Sequence, residues 1–417
     1  MSPSSSGHKA LYAHSFRVGI DTTLFCVYSL IKSSHYDSGE KMNLSGKKAG
    51  VFIFFGLMLI FFWMLQACQQ KETTIKIGVA GPMTGDQSKM GIDEKNGADL
   101  AVSEWNERGG VLGRKIELIV ADDQHDPKQA VAVANRLVNS GVAGVIGHWN
   151  SGSSIPASDV YHQAGIPMIT PASTNPDLTE RKYENVFRIC GRDDQQGKIA
   201  ADFALSRKSF RKVAILHDKT AYGQGLAQEF QKNLVNKIEI AAYEGITQGE
   251  KDFRGILTTI KGKEPDLIFF GGIYPEAAQL VRQARELGLK APMLSGDGTF
   301  DQTFIKIAGE AAEGTFLTFS SDPSRKPEVK GVLDRYHGKY GEHGPYSLYA
   351  YDAANVLLEA MAEAKTTEPA SLNKSLHQIS LQGTTGQIQF DRKGDLLVSP
   401  YVVWVVKGGK FEEVWKP

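Results

Sequence analysis

From residue 75 onward the chain alternates short apolar runs with longer amphipathic stretches at regular intervals. Residues 75–80 (Ile-Lys-Ile-Gly-Val-Ala) predict a strand, and residues 96–107 a helix with Ala98, Leu100, Ala101 and Trp105 as its apolar set. Residues 115–121 predict the next strand, after which Asp126-Pro127 supplies an N-cap with proline at the first helical position of a helix reaching Asn139. An apolar strand at 142–146, a polar turn, a helix and a second apolar strand at 167–170 complete four βα steps. The pattern then restarts, with strands predicted at 186–189, 212–216, 238–243, 266–270 and 292–294, and a helix running through 202–206. Thr247 and Glu250, ahead of Phe253, have the spacing of a capping box at the start of a helix. Two helices at 328–340 and 346–364 follow, then strands at 386–390 and 401–406 separated by a turn at 391–395. Such alternation predicts an α/β fold of two lobes, each a doubly wound, mostly parallel sheet flanked by helices. No linker rich in proline or serine separates the two halves, so several short crossings are expected to join them.

The chemistry concentrates at two successive strand ends. After the strand at 142–146 come Ser151-Gly152-Ser153-Ser154, where a helix begins, and after the strand at 167–170 come Ala172-Ser173-Thr174. Ligands of open parallel sheets sit beyond the carboxyl ends of the strands. Hydroxyls and free helix N–H groups gathered on that rim suit a small anion such as a carboxylate, with the positive end of the helix dipole toward it. The plainer role for Ser151 and Ser153 is to cap their own helix.

Composition narrows the function. The 417 residues, 41% hydrophobic and 23% charged, suffice for two lobes, and 47 basic against 47 acidic residues give no bias toward nucleic acid. The cysteines, Cys26, Cys68 and Cys190, are too far apart in sequence to define a disulfide framework or a zinc site. Asp122-Asp123-Gln124-His125-Asp126 reads as a strand end leading into an N-cap, without regular metal-ligand spacing. The chain after residue 74 has no GxSxG elbow, HExxH, P-loop or GxGxxG, which argues for binding rather than catalysis and gives no catalytic, metal or cofactor assignment.

Ahead of this region, Lys47 and Lys48 precede an unbroken apolar run at 49–65, and Leu65-Gln66-Ala67-Cys68 follows. A basic start, an apolar middle and a small residue before a cleavage point are the parts of a secretory signal. The final four residues resemble the bacterial lipobox, which implies that Cys68 is lipidated and becomes the first residue, tethered by a linker at 68–74. The alternative is an uncleaved anchor, since the run is just long enough to span a bilayer. Either way the lysines stay inside and the large domain lies outside. On this reading 42–67 is a signal peptide initiated at Met42, and residues 1–41 are a mis-assigned extension.

In order along the chain, the stretches IKIGVAGPMTG, DDQHDPKQAVAVANRLVNSGVAGVIGH, ITPAST, LHDKTAYGQGL, GITQGEKDF and GGIYPEAAQLVRQARELGLKAPMLSGDG resemble the leucine/isoleucine/valine-binding proteins, substrate-binding components of bacterial ABC importers. The resemblance spans residues 75–417 and implies a type I periplasmic-binding fold, with three crossings and a ligand in the cleft between lobes. It places 75–191 with 321–399 in one lobe and 192–320 with 400–417 in the other. It further implies a monomer that hands a small amino acid to permease subunits in the membrane. The same fold also serves amino-acid and amide sensors.

By the same resemblance, Ser151 and Thr174 are hydroxyl donors to the ligand carboxylate, with Ala172 a backbone contact and Ser173 within the same stretch. Asp297, between Gly296 and Gly298, matches the acidic ammonium ligand, where other members carry Glu. Tyr222 matches an aromatic wall of the second lobe, and Trp149 an apolar wall of the first. Met90 stands where relatives have an aromatic residue and Ile273 where a tyrosine is usual, so the side-chain pocket departs from the pattern. Discrimination there is small in any case, since one methylene is worth about 1–3 kcal/mol in an apolar pocket. Relatives with a disulfide beside the site place its halves where this chain has His125 and Asn150, so that bridge is absent and Cys190 is a lone, buried thiol.

Overall fold

The computed structural model describes residues 74–417. The predicted signal segment, Cys68 with its linker up to residue 73, and the 1–41 extension lie outside the described residues. The strands are β1 (Thr74–Gly81), β2 (Lys115–Asp122), β3 (Val145–Gly147), β4 (Met168–Thr170), β5 (Val186–Arg188), β6 (Lys212–His217), β7 (Glu239–Gly245), β8 (Leu267–Gly271), β9 (Met293–Ser295), β10 (Phe316–Ser320), β11 (Leu381–Gln382), β12 (Gln387–Ile388), β13 (Tyr401–Lys407) and β14 (Lys410–Trp415). The α-helices are α1 (Ser88–Glu107), α2 (Pro127–Asn139), α3 (Ser151–Gln163), α4 (Asp177–Glu180), α5 (Asp193–Ser206), α6 (Ala221–Leu234), α7 (Arg254–Lys261), α8 (Tyr274–Glu286), α9 (Gln302–Ala308), α10 (Lys330–Tyr340), α11 (Ser347–Ala364) and α12 (Pro369–Gln378).

Two sheets carry the architecture. The first has the order β2-β1-β3-β4-β5 and is parallel throughout. The second runs β14-β13-β10-β9-β8-β6-β7, parallel from β7 to β10 and antiparallel at β13 and β14. The chain passes between the sheets three times, after β5, after β10 and before β13. Strands β3, β4, β5, β8 and β9 are buried along their whole length, as parallel strands covered by helices on both faces must be. Helix α11 has the same need: thirteen of its eighteen residues are buried, because it packs between α1 and the first sheet.

Local chemistry explains most boundaries. Helix α2 starts where expected, with the Asp126 carboxylate accepting from Lys128 N and Gln129 N, both at 2.8 Å, and proline next in line. Replacing Asp126 with Ala removes the acceptor of two otherwise unpaired N–H groups. It should lower stability by about 1 kcal/mol, read from the midpoint of denaturant unfolding.

Other boundaries differ from the sequence reading. Helix α1 begins at Ser88, not at 96, because its first turns bury Asp93 and Glu94 beside Met90, and buried acids broke the apolar period. Strand β3 is shorter than expected; Ala143 and Gly144 bond to the β1 backbone outside it. Thr247 and Glu250 close a turn, Thr247 N donating to Glu250 Oε2 at 3.2 Å, but α7 starts only at Arg254. The strand expected at 386–390 is reduced to β12, paired only with β11, and β10, α12 and β14 were not anticipated. Among the described residues no helix is long and apolar enough to cross a membrane.

Candidate functional site

The carboxyl ends of β3 and β4 in the first sheet, and the turn after β9 in the second, meet where the lobes touch. Asn175 marks the contact: its Nδ2 donates to the carbonyl of Ala221 at the start of α6, 2.6 Å away. On the far side of the cleft mouth, Lys251 pairs with Asp86 at 2.9 Å and the Tyr274 hydroxyl donates to the Asp86 carbonyl at 2.6 Å.

The first jaw is built from two polar turns. Ser151 is the first residue of α3, 2% exposed, and its hydroxyl accepts from Asn175 N at 3.2 Å. The cap position belongs to Asn150, whose side chain makes no capping bond, so neither Ser151 nor Ser153 acts as the N-cap. The Ser153 hydroxyl is fully buried without a hydrogen-bond partner. The Ala172 N–H makes only a long contact to Thr170 Oγ1, 3.2 Å. Ser173 faces inward instead: its hydroxyl meets Ser154 Oγ at 2.6 Å and the Trp149 carbonyl at 3.0 Å, which makes it part of the frame behind the turn. The Thr174 hydroxyl is 1% exposed, makes no well-formed bond, and lies against the Asp193 carboxyl.

The second jaw centres on Asp297, 4% exposed, in a single 3-10 turn after β9. The Tyr222 hydroxyl donates to Asp297 Oδ1 at 2.8 Å and itself accepts from Gly298 N at 2.9 Å. The Tyr346 hydroxyl donates to the other oxygen, Oδ2. Burial raises the Asp297 pKa, and the bonds from Tyr346, Tyr222 and Gln196 work against that rise. Burial and the nearby carboxylate drive both tyrosine pKa values far up, so the two phenols remain donors. The flanking glycines are required: a Cβ on Gly296 would lie 2.6 Å from the Tyr222 hydroxyl, and one on Gly298 2.9 Å from Ile273 Cγ2.

The apolar wall follows from the same contacts. Trp149 is 5% exposed and meets Tyr346 edge to face, with centroids 5.8 Å apart. Ile273 precedes α8 and fills the space against Gly298 and Tyr222. Met90 is buried in the first turns of α1. Tyr346 was missed in the sequence, where it reads only as the start of a helix; it lies 49 residues from Asp297, and no local pattern joins them.

Gln87 makes a polar bridge between His125 and Asn150. Asn150 Nδ2 donates to Gln87 Oε1 at 2.9 Å, and the Gln87 amide meets His125 Nδ1. Gln248 of the second lobe reaches the same His125 nitrogen at 2.7 Å. Burial pushes the His125 pKa down to about 4, despite Asp123 and Asp126, so the ring is neutral. Cys190 is buried, its pKa raised by burial far above an ordinary thiol, which leaves it unreactive. Within 122–126, Asp122 accepts from Met83 N and Gln124 N, Asp123 pairs with His148 at 2.6 Å, and Asp126 caps α2. Among the described residues no group of three or more His, Cys, Asp or Glu could hold a metal ion.

Comparison with known proteins agrees with this architecture. Residues 74–410 match the family model described as "Periplasmic binding protein". The chain is 44% identical over 341 residues to an "Amino acid binding protein" of Pseudomonas aeruginosa, covering 80% of this chain and 91% of that one. It is 41% identical to "Leu/Ile/Val-binding protein homolog 2" of Brucella abortus, covering 81% and 91%. Among solved structures, a leucine binding protein of Thermotoga maritima superposes with a TM-score of 0.77 at 31% identity, covering 82% of this chain and 99% of that one. An isoleucine-bound branched-chain amino acid transporter substrate binding protein of Streptococcus pneumoniae gives 0.75 at 33%, covering 82% and 100%. The family model and these names describe periplasmic solute-binding proteins. Two α/β lobes, three crossings and a polar cleft between them agree with these matches: the chain belongs to the periplasmic binding protein family and has the type I fold of the leucine/isoleucine/valine-binding proteins.

Proposed function

We propose that this protein captures a free amino acid with an aliphatic, branched side chain in the interlobe cleft and delivers it to the permease of an ABC importer. In this reading a lipid on Cys68 tethers it to the outer face of a bacterial membrane, and no cofactor takes part. Ser151, Ala172 and Thr174 hold the carboxylate, Asp297 with Tyr222 holds the ammonium, and Trp149, Met90 and Ile273 surround the side chain. The reading rests on one observation above the others. A buried carboxylate, held by two tyrosine hydroxyls, sits across the cleft from hydroxyls at the start of a helix. A zwitterion presents the two charges that such surfaces would bind. The names of the relatives, which specify leucine, isoleucine and valine, support the aliphatic assignment.

A thermal-shift screen of the mature protein against the common amino acids tests the assignment. Ligand at about 1,000 times its Kd stabilises the bound form by roughly 4 kcal/mol, enough for a clear rise in Tm. Leucine, isoleucine and valine should give the largest rises, followed by calorimetric binding at one site per chain. A screen in which no aliphatic amino acid raises Tm would remove the proposal. Metabolic labelling with a fatty acid, lost on Cys68→Ala, tests the anchor separately.

A further inference from the structure

The first turn of α5 holds two acceptors that the reading above leaves unused. Asp193 is fully buried, and neither carboxylate oxygen has a hydrogen-bond partner. Gln196, three residues on and so on the same helical face, is fully buried too. Its Nε2 donates to the Thr318 carbonyl at 3.0 Å and its amide N–H side also serves Asp297, which leaves Oε1 without a partner beside Gly296. Leaving a buried carboxylate unbonded is costly. The nearest cation does not satisfy it. Arg188 uses Nε on Asp395, Nη1 on the Ser173 and Asn175 carbonyls, and Nη2 on Thr179. The other groups around Asp193 are Asp297, Tyr222, Tyr401, Cys190, Asp194 and the Thr174 hydroxyl, none of them cationic. Burial and the neighbouring Asp297 accordingly drive the Asp193 carboxyl well above its usual range.

We propose that Asp193 is a second ammonium-binding carboxylate of the cleft and that, with Gln196 Oε1 and Asp297, it forms an acceptor set for the three N–H donors of a primary amine. The inference rests on the amino-acid reading of the cleft and deepens it. The carboxylate jaw alone would accept any small acid; the acceptors of α5 make the site select acids that bear a cationic primary amine.

The test uses L-leucine and its des-amino analogue 4-methyl-2-oxopentanoate, titrated calorimetrically into the wild type, Asp193→Asn and Asp297→Ala. Asn keeps the shape and removes the charge, so the empty variant should melt no lower than the wild type. Asp193→Asn should weaken leucine at least tenfold and leave the keto acid within about threefold, narrowing the preference for the amine. Leucine affinity within twofold of wild type would overturn the inference, as would equal losses for both ligands or a lowered Tm, which mark a structural role. Failure of the underlying reading looks different: the wild type would not bind leucine, or Asp297→Ala would bind it unchanged.

Discussion

Asp297→Ala is expected to weaken binding of the preferred aliphatic amino acid by about 2–5 kcal/mol, roughly thirty- to several-thousandfold. The size follows from burial. Asp297 is 4% exposed, so an ammonium brought beside it is stripped of water, and its only compensation is the carboxylate and neighbouring acceptors. Alanine leaves that ammonium desolvated and strands the hydroxyls of Tyr222 and Tyr346, which both bond to Asp297. Because solvent ions do not reach a closed cleft, the loss should persist at high salt, unlike that of a surface pair. The loss should appear mainly in the dissociation rate, where most affinity differences among variants of one site lie. Calorimetry and stopped-flow release measure both. A variant that binds as tightly as the wild type would place the ammonium elsewhere.

The fold was largely legible because its signals are local and repeated. Apolar runs four to six residues long, set off by glycine and by Asp126-Pro127, mark parallel strands and a helix start without any knowledge of the partners. The reading failed where burial is polar. Asp93 and Glu94 lie on the buried face of α1, Glu94 fully inside, and two acids there hide the helix that carries them. The site divides in the same way. The hydroxyl turns at 151–154 and 172–174 and the Gly-Asp-Gly turn at 296–298 can be read as strand ends, and the structure places them where two lobes touch. Which of their atoms remain free could not be read. Ser173, between two candidate donors, turns its hydroxyl to Ser154 and the Trp149 carbonyl. Asp193 enters from the crossing after β5 and Tyr346 from the residue before α11, 104 and 49 residues from Asp297, separations over which no periodicity operates.

The crossings after β5 and before β13 carry the largest expected effect on stability. Residues 391–395 read in the sequence only as a turn, and within it Asp395 is 4% exposed and receives Arg188 Nε at 2.5 Å, Arg192 Nη1 at 2.6 Å and the Thr179 hydroxyl at 2.9 Å. Arg188 is fully buried, and Asp395 is its only carboxylate partner among the described residues. Asp395→Ala therefore leaves a guanidinium charge in the interior. It should cost about 3–5 kcal/mol and lower Tm by roughly 4–7 °C. The consequence reaches the cleft, because Arg188 Nη1 also donates to the carbonyls of Ser173 and Asn175, at 2.9 and 3.0 Å, and so holds the turn that presents Thr174. A guanidinium that swings toward water releases that turn, so ligand affinity should fall together with stability. Replacing both partners with apolar residues, Arg188→Met with Asp395→Leu, removes the uncompensated charge and should recover most of the lost Tm. It cannot restore the two bonds to the turn, and the affinity loss should remain. Calorimetric melting and leucine titration of the single and double variants separate the two roles; recovery of affinity along with Tm would show that Arg188 does not position the binding turn.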